Sequence, residues 1–193
     1  MKRILFIMLL VLLIFSISAY SQETKKIKQN YTTSGIIKEN YSPKVKKDSI
    51  KRKLLSNGEY KIETGDTVKL KNGKFKRGSA GGDNCVDVTF KNFSLGNIDN
   101  EGAEDAAVIL SANYGGSGSF YQLFAVINRE GQFQQKGEPI GLGDRVIINS
   151  IIIKNRIIII DMTTQGPKDA MCCPTKREIV KYRLIGNNLT RLK

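Results

Sequence analysis

Histidine and tryptophan are both missing from the 193 residues, proline occupies four positions and cysteine three. Without an imidazole there is no Cys-His catalysis and no histidine-based zinc site, and three thiols alone make a poor zinc cage. Long apolar runs are equally scarce. The longest, Ile4 to Phe15, follows Met1-Lys2-Arg3 and is shorter than the ~18 residues expected of a membrane span. With Ala19-Tyr20-Ser21 after it, this reads as a secretory signal peptide at residues 1–21, cut before Gln22. No cysteine follows the apolar run, which argues against a lipid-modified N-terminus. The expected location is therefore secreted or periplasmic, with no transmembrane helix after signal cleavage.

Acid is the remaining shortage. Lysine and arginine total 31 against 18 aspartates and glutamates, a net charge of +13. Residues 22–53 hold ten of the bases against three acids, and they show no sustained apolar period, so they read as a basic flexible arm. A short helix from Asp48 to Leu55, capped by Asp48, is the alternative. An exported chain keeps disulfides. Cys85 is expected to pair with Cys172 or Cys173; a bond between the adjacent Cys172 and Cys173 is the more strained option, and one thiol is left over in any case.

Residues 54–193 fit one mainly β domain, antiparallel and built as a meander, sandwich or barrel-like arrangement. Val68-Lys69-Leu70-Lys71 and Lys74-Phe75-Lys76 flank Asn72-Gly73, a strong hairpin signal. Val86, Val88 and Phe90 alternate with polar neighbours, and Ala106 to Leu110 reads as a buried strand. Phe120 to Ile127 is β-branched and aromatic. Val146–Ile153 and Ile157–Met162 form the most apolar stretch, and their isoleucine density predicts a central hairpin buried on both faces. Ile179–Ile185 and Leu189–Leu192 predict a last hairpin. Gly115–Ser119 reads as a turn; Ser117 has no histidine base and no nucleophile-elbow context, so catalysis is not expected there.

Between two of these strands, Asn97-Ile98-Asp99-Asn100-Glu101-Gly102-Ala103-Glu104-Asp105 places oxygen side chains at positions 1, 3, 5 and 9 and glycine at 6. Alternate oxygens can converge on a hard cation, position 7 adds the Ala103 carbonyl, and the glycine allows the bend. The spacing resembles the calcium loops of FG-GAP repeats in integrin-α-type propellers. That resemblance implies calcium held by Asn97, Asp99, Glu101, Ala103 and Asp105. Asn97 and Glu101 stand where the pattern has aspartate, and Val108 at position 12 disfavours an EF-hand. A polar β-turn, in which these side chains satisfy backbone groups, is the competing expectation.

A broader resemblance rests on the order of this loop, Gly115-Gly116-Ser117-Gly118-Ser119-Phe120, Leu142-Gly143-Asp144-Arg145-Val146 and Cys172-Cys173-Pro174-Thr175. The order looks like a set of uncharacterised secreted bacterial β domains. From Cys172 to Leu189 the chain is also similar to LppP/LprE-type envelope lipoproteins, although it lacks their lipobox cysteine. These likenesses imply an exported envelope protein without known enzymatic activity.

A two-residue turn at Asn72-Gly73 sets Lys71 opposite Lys74 and Lys69 opposite Lys76. Four like charges on one face serve either as a guarded edge or as a contact for an anionic polymer. The sequence thus predicts a non-enzymatic, calcium-stabilised domain that binds an anionic cell-envelope or extracellular component such as teichoic acid, lipopolysaccharide or acidic polysaccharide. Specific nucleic-acid binding is not expected, because no aromatics interleave with the lysines. The rival readings are a secreted hydrolase using loop carboxylates, and an inhibitor or interaction protein that meets another exported protein.

Overall fold

The computed structural model describes residues 43–193 except Ala80 and Asp83; the expected signal peptide and residues 22–42 of the expected arm lie outside the described residues. The end of that arm is helical rather than irregular. Helix α1 spans Pro43–Leu55. Proline suits the first helical turn because its missing N–H has no intrahelical partner there, and the last turn carries the basic Arg52 and Lys53, as the helix dipole favours. Lys51 and Leu55 are buried, and the Arg52 guanidinium lies 5.5 Å from the ring centres of both Phe90 and Phe93. Lysine and arginine stems thus do the packing, which hides the helix from any search for apolar periodicity.

The rest is mainly β, with three antiparallel sheets and no closed barrel. β1 (Glu59–Lys61) pairs with β2 (Thr67–Lys69). A five-stranded meander follows in chain order: β3 (Lys74–Arg77), β4 (Val86–Gly96), β5 (Asp105–Asn113), β6 (Phe120–Arg129) and β7 (Gln132–Asp144). A second meander holds β8 (Ile147–Lys154), β9 (Ile157–Thr164), β10 (Lys176–Ile185) and β11 (Asn188–Leu192). Two-residue turns with left-handed backbone close several hairpins. Asn72 and Gly73 have φ 53° and 81°, and Glu130 and Gly131 have φ 54° and 88°.

Two apolar clusters share the five-stranded sheet as their common wall. On one face Ala107, Ile109, Leu123, Ala125 and Ile127 meet Ile151, Ile158, Ile160, Val180 and Tyr182 of the second meander. On the other, Ala106, Val108, Leu110, Phe124 and Val126 meet Leu55, Tyr60, Ile62, Val68 and Leu70. β5 and β6 are therefore the strands buried on both faces, and the unbroken apolar run from Ala106 predicts this of β5.

The isoleucine hairpin corrects the expectation made for it. β8 and β9 alternate: Ile158 and Ile160 are fully buried, while Ile147 and Ile152 are about half exposed, at 52% and 48%. β8 is an edge strand, with a bulge between Ile148 and Ser150. Each isoleucine turned inward contributes about 1.5–3 kcal/mol from burial.

Candidate functional site

The loop between β4 and β5 is ordered by donors from its own chain. Asp105, at the first position of β5, is fully buried. Its Oδ2 accepts from the N–H of Ile98 (2.8 Å) and Asp99 (3.4 Å), and its Oδ1 accepts from Asn128 N–H (3.0 Å). These bonds to a carboxylate tie both ends of the loop to the end of β6. Asn97 Oδ1 accepts from Asn100 N–H at 2.6 Å, and Asp99 Oδ1 accepts from Glu101 N–H at 3.0 Å. Asn100 and Gly102 take left-handed backbone, φ 75° and 83°, and make the bend expected of the glycine. Ala103 is half-buried.

Two cations from distant elements complete the loop. Arg129, the last residue of β6, places Nη1 2.8 Å from Asp99 Oδ2 and Nη2 2.9 Å from Glu101 Oε1. Lys51 of α1, almost fully buried, pairs with Glu104. Burial pulls the Asp99 carboxyl upward, but the Glu101 N–H and the Arg129 guanidinium outweigh it and hold the group below the usual carboxylate range. The Asp99–Arg129 contact is an ion pair by distance only. Among the described residues no donor is aimed well enough to hydrogen-bond the buried Oδ2.

Of the five residues expected to cage calcium, four therefore have their side-chain oxygens engaged within the chain, and a guanidinium stands between Asp99 and Glu101. Among the described residues no group of three or more Cys, Asp or Glu is arranged to hold a metal ion. As arranged, the donor set fits arginine better than a divalent ion. Sequence reasoning missed Lys51, Asn128 and Arg129. Arg129 stands immediately before the Glu130–Gly131 turn, and pairing of β5 with β6 is what brings it to the loop.

The cysteines are distributed differently from the expectation. Cys172 and Cys173 are bonded to each other, with Cα atoms 3.8 Å apart, while Cys85 is a buried free thiol. Cys85 adjoins β4 and belongs to the buried interior at 5% exposure. Cys172 and Cys173 lie in the exposed β9–β10 connection, where Asp169 accepts from Gly166 N–H, Thr175 N–H and Thr175 Oγ1. That connection is self-contained, so its cysteines are met by each other and not by a strand-end thiol.

The lysine turn is present but shorter than expected. Lys71 and Lys74 face each other across Asn72–Gly73 with reciprocal backbone bonds of 2.8 and 3.2 Å. Lys69 pairs instead with Glu59 of β1, and Lys76 with Asp87 of β4. The strands on either side of the turn diverge because Leu70 and Phe75 serve different neighbours: Leu70 donates its N–H to Gly58 O, and Phe75 pairs with Val88. All four lysines are exposed. Among the described residues none of the four forms an ion pair.

Lys69 also lines a groove of about 670 Å³ between β1–β2 and the start of β7. Its walls carry Tyr60, Phe133 and the amides of Asn57, Gln132, Gln134 and Gln135. Gln135 is fixed by Lys61: Oε1 accepts from Lys61 N–H at 2.8 Å, and Nε2 donates to Lys61 O at 3.2 Å. Glu59 is the one carboxylate among the groove residues, so the wall has donors in excess. No family model matches the sequence, and neither a curated protein nor a solved structure matches the chain.

Proposed function

We propose that this chain is an exported, non-enzymatic β domain that binds an anionic polymer of the cell envelope. The observation that carries the reading is four exposed lysines without ion pairs among the described residues: Lys71 and Lys74 face each other at the turn, Lys69 and Lys76 follow on separate sheets, and Lys69 lines a groove walled by amides and aromatic rings. A charged chain releases counterions when lysines replace them, and amide-and-ring walls suit the hydroxyls and apolar faces of a sugar or polyol. The leader-like residues 1–21 support export. The hydrolase alternative has less behind it: Asp105 is engaged by three backbone N–H groups and Glu104 by Lys51, so neither is a free acid or base.

Calcium enters this reading as a substitute for Arg129. The ion would take Asp99 and Glu101 only if the guanidinium left them, with Asn97, the Ala103 carbonyl and Asp105 nearest in sequence. Melting curves with ~5 mM calcium, above the millimolar range of extracellular sites, and with chelator test this in wild type and Arg129→Ala. Exchange predicts a rise with calcium in Arg129→Ala and little change in wild type; no rise in either removes calcium from the reading.

The polymer claim is tested by equilibrium binding to a glycerol-phosphate polymer and to an acidic polysaccharide. Wild type should bind at least one, and replacing Lys69, Lys71, Lys74 and Lys76 with glutamine should weaken binding about tenfold or more at low salt. Equal affinity of wild type and variant would sink the reading.

A further inference from the structure

A second polar pocket, of about 530 Å³, lies where the β8–β9 turn meets β10 and the β4–β5 loop. It is lined by Asn97, Asn100, Ile153, Asn155, Arg156 and Arg183. Two guanidinium groups and three amides face one space, with Ile153 the single apolar wall and no carboxylate among the lining residues. Neither Arg156 nor Arg183 forms an ion pair among the described residues.

Three details show that the donors are placed rather than scattered. Arg183 Nε is buried and has no hydrogen-bond partner among the described residues, so a ligand oxygen in the pocket meets this guanidinium through its Nη groups. A buried charged donor without an acceptor is costly, and its natural complement is a negatively charged oxygen. Asn97 uses its side-chain carbonyl on Asn100 N–H, which leaves its NH2 group to donate. Asn155 and Arg156 both hold left-handed backbone, φ 52° and 62°, so the tight β8–β9 turn presents the Arg156 side chain at the rim.

We propose that this pocket binds one oxyanion, the phosphate or carboxylate group of a polymer repeat, with Arg183 as the inner donor, Arg156 as the outer one and the asparagine amides as supporting donors. The guanidinium fork matches either group, and the volume exceeds a bare ion and leaves room for the attached sugar or polyol. The inference rests on the polymer-binding reading and supplies its site of recognition: the lysine turn attracts the chain electrostatically, and this pocket reads its charged group.

The purified protein is titrated with two probes of equal charge, a glycerol-phosphate oligomer and a galacturonate oligomer, while the arginine Nε–Hε resonances are followed by NMR. At least one probe should shift the Arg183 resonance saturably, and the preferred probe identifies phosphate or carboxylate. Arg183→Lys keeps the charge but removes the Nε donor and the fork, and should weaken binding about tenfold. Arg156→Asn, at an exposed turn position where asparagine tolerates positive φ, should weaken it several-fold without touching the core. If probes bind, but the Arg183 resonance stays still and only the lysine variant loses affinity, the pocket proposal falls and the polymer reading stands. If neither probe binds wild type, both fall. Should Arg183→Lys fail to fold, unchanged affinity in Arg156→Asn overturns the proposal just as directly.

Discussion

The loop at 97–105 and the turn at 69–76 are both rich in charge, yet the chain treats them in opposite ways. In the loop, Asp99 and Glu101 meet Arg129, Glu104 meets Lys51, and Asp105 takes three backbone N–H groups. At the turn, Lys71 and Lys74 face one another, and none of the four lysines has a carboxylate within 4.0 Å among the described residues. Charge that is answered inside the chain organises structure; charge left unanswered on the surface adds little stability and is available to a partner. The more acidic-looking segment is therefore an internal clasp, and the bland lysine turn is the better candidate for contact.

This contrast can be broken in graded steps. Asp105→Ala should cost on the order of 3 kcal/mol or more, because it leaves three backbone donors without their acceptor in a buried place, and urea denaturation would report it. Lys51→Ala should cost about 1–2 kcal/mol, since a largely buried stem and its pair with Glu104 are lost together. Arg129→Ala should leave global stability little changed, as Arg129 is 44% exposed, but should raise hydrogen exchange across 97–104.

Acid sensitivity follows from the depressed carboxyls. Arg177 first, and then Asn149, hold Asp161 down to about 2, and Asp66, Asp99 and Asp169 are lowered as well. A carboxyl lowered by folding contributes above its unfolded pKa, near 3.9, and loses that contribution as pH falls through the folded value. Stability should thus decline from about pH 4 towards pH 2. The deficit of Arg177→Gln, present at neutral pH, should vanish near pH 2. A deficit that persisted there would show that the Arg177 effect is not the Asp161 pair.

Much of the β architecture was readable from sequence. Val86–Val88–Phe90, Ala106–Leu110, Phe120–Ile127 and the last hairpin all form where alternation and turn residues placed them. Asn72–Gly73 folds as a left-handed turn, as its composition required. Three features were not legible, each for a physical reason. Helix α1 is expected from sequence only as the alternative from Asp48 to Leu55; it starts at Pro43 and packs through Lys51, Arg52 and a single leucine, so no apolar stripe favoured it over an irregular arm. The layer order is set by which sheet covers which, and the packing of the second meander onto β5 and β6 is not contained in any local hydropathy pattern. Arg129 reaches the loop only through the pairing of β5 and β6, a contact that local spacing does not contain. The same limit applies to the cysteines: the neighbouring pair closes on itself once Cys85 is folded into the interior.

The central claim is that the unanswered lysines bind an anionic polymer, and the salt dependence of that binding tests it most directly. The logarithm of affinity for a glycerol-phosphate polymer should fall linearly with the logarithm of salt concentration. Replacing Lys69, Lys71, Lys74 and Lys76 with glutamine should make that slope shallower by about 3, near 0.7–0.9 for each contact, while shifting folding stability by less than about 0.5 kcal/mol. An identical slope in wild type and variant would contradict the account.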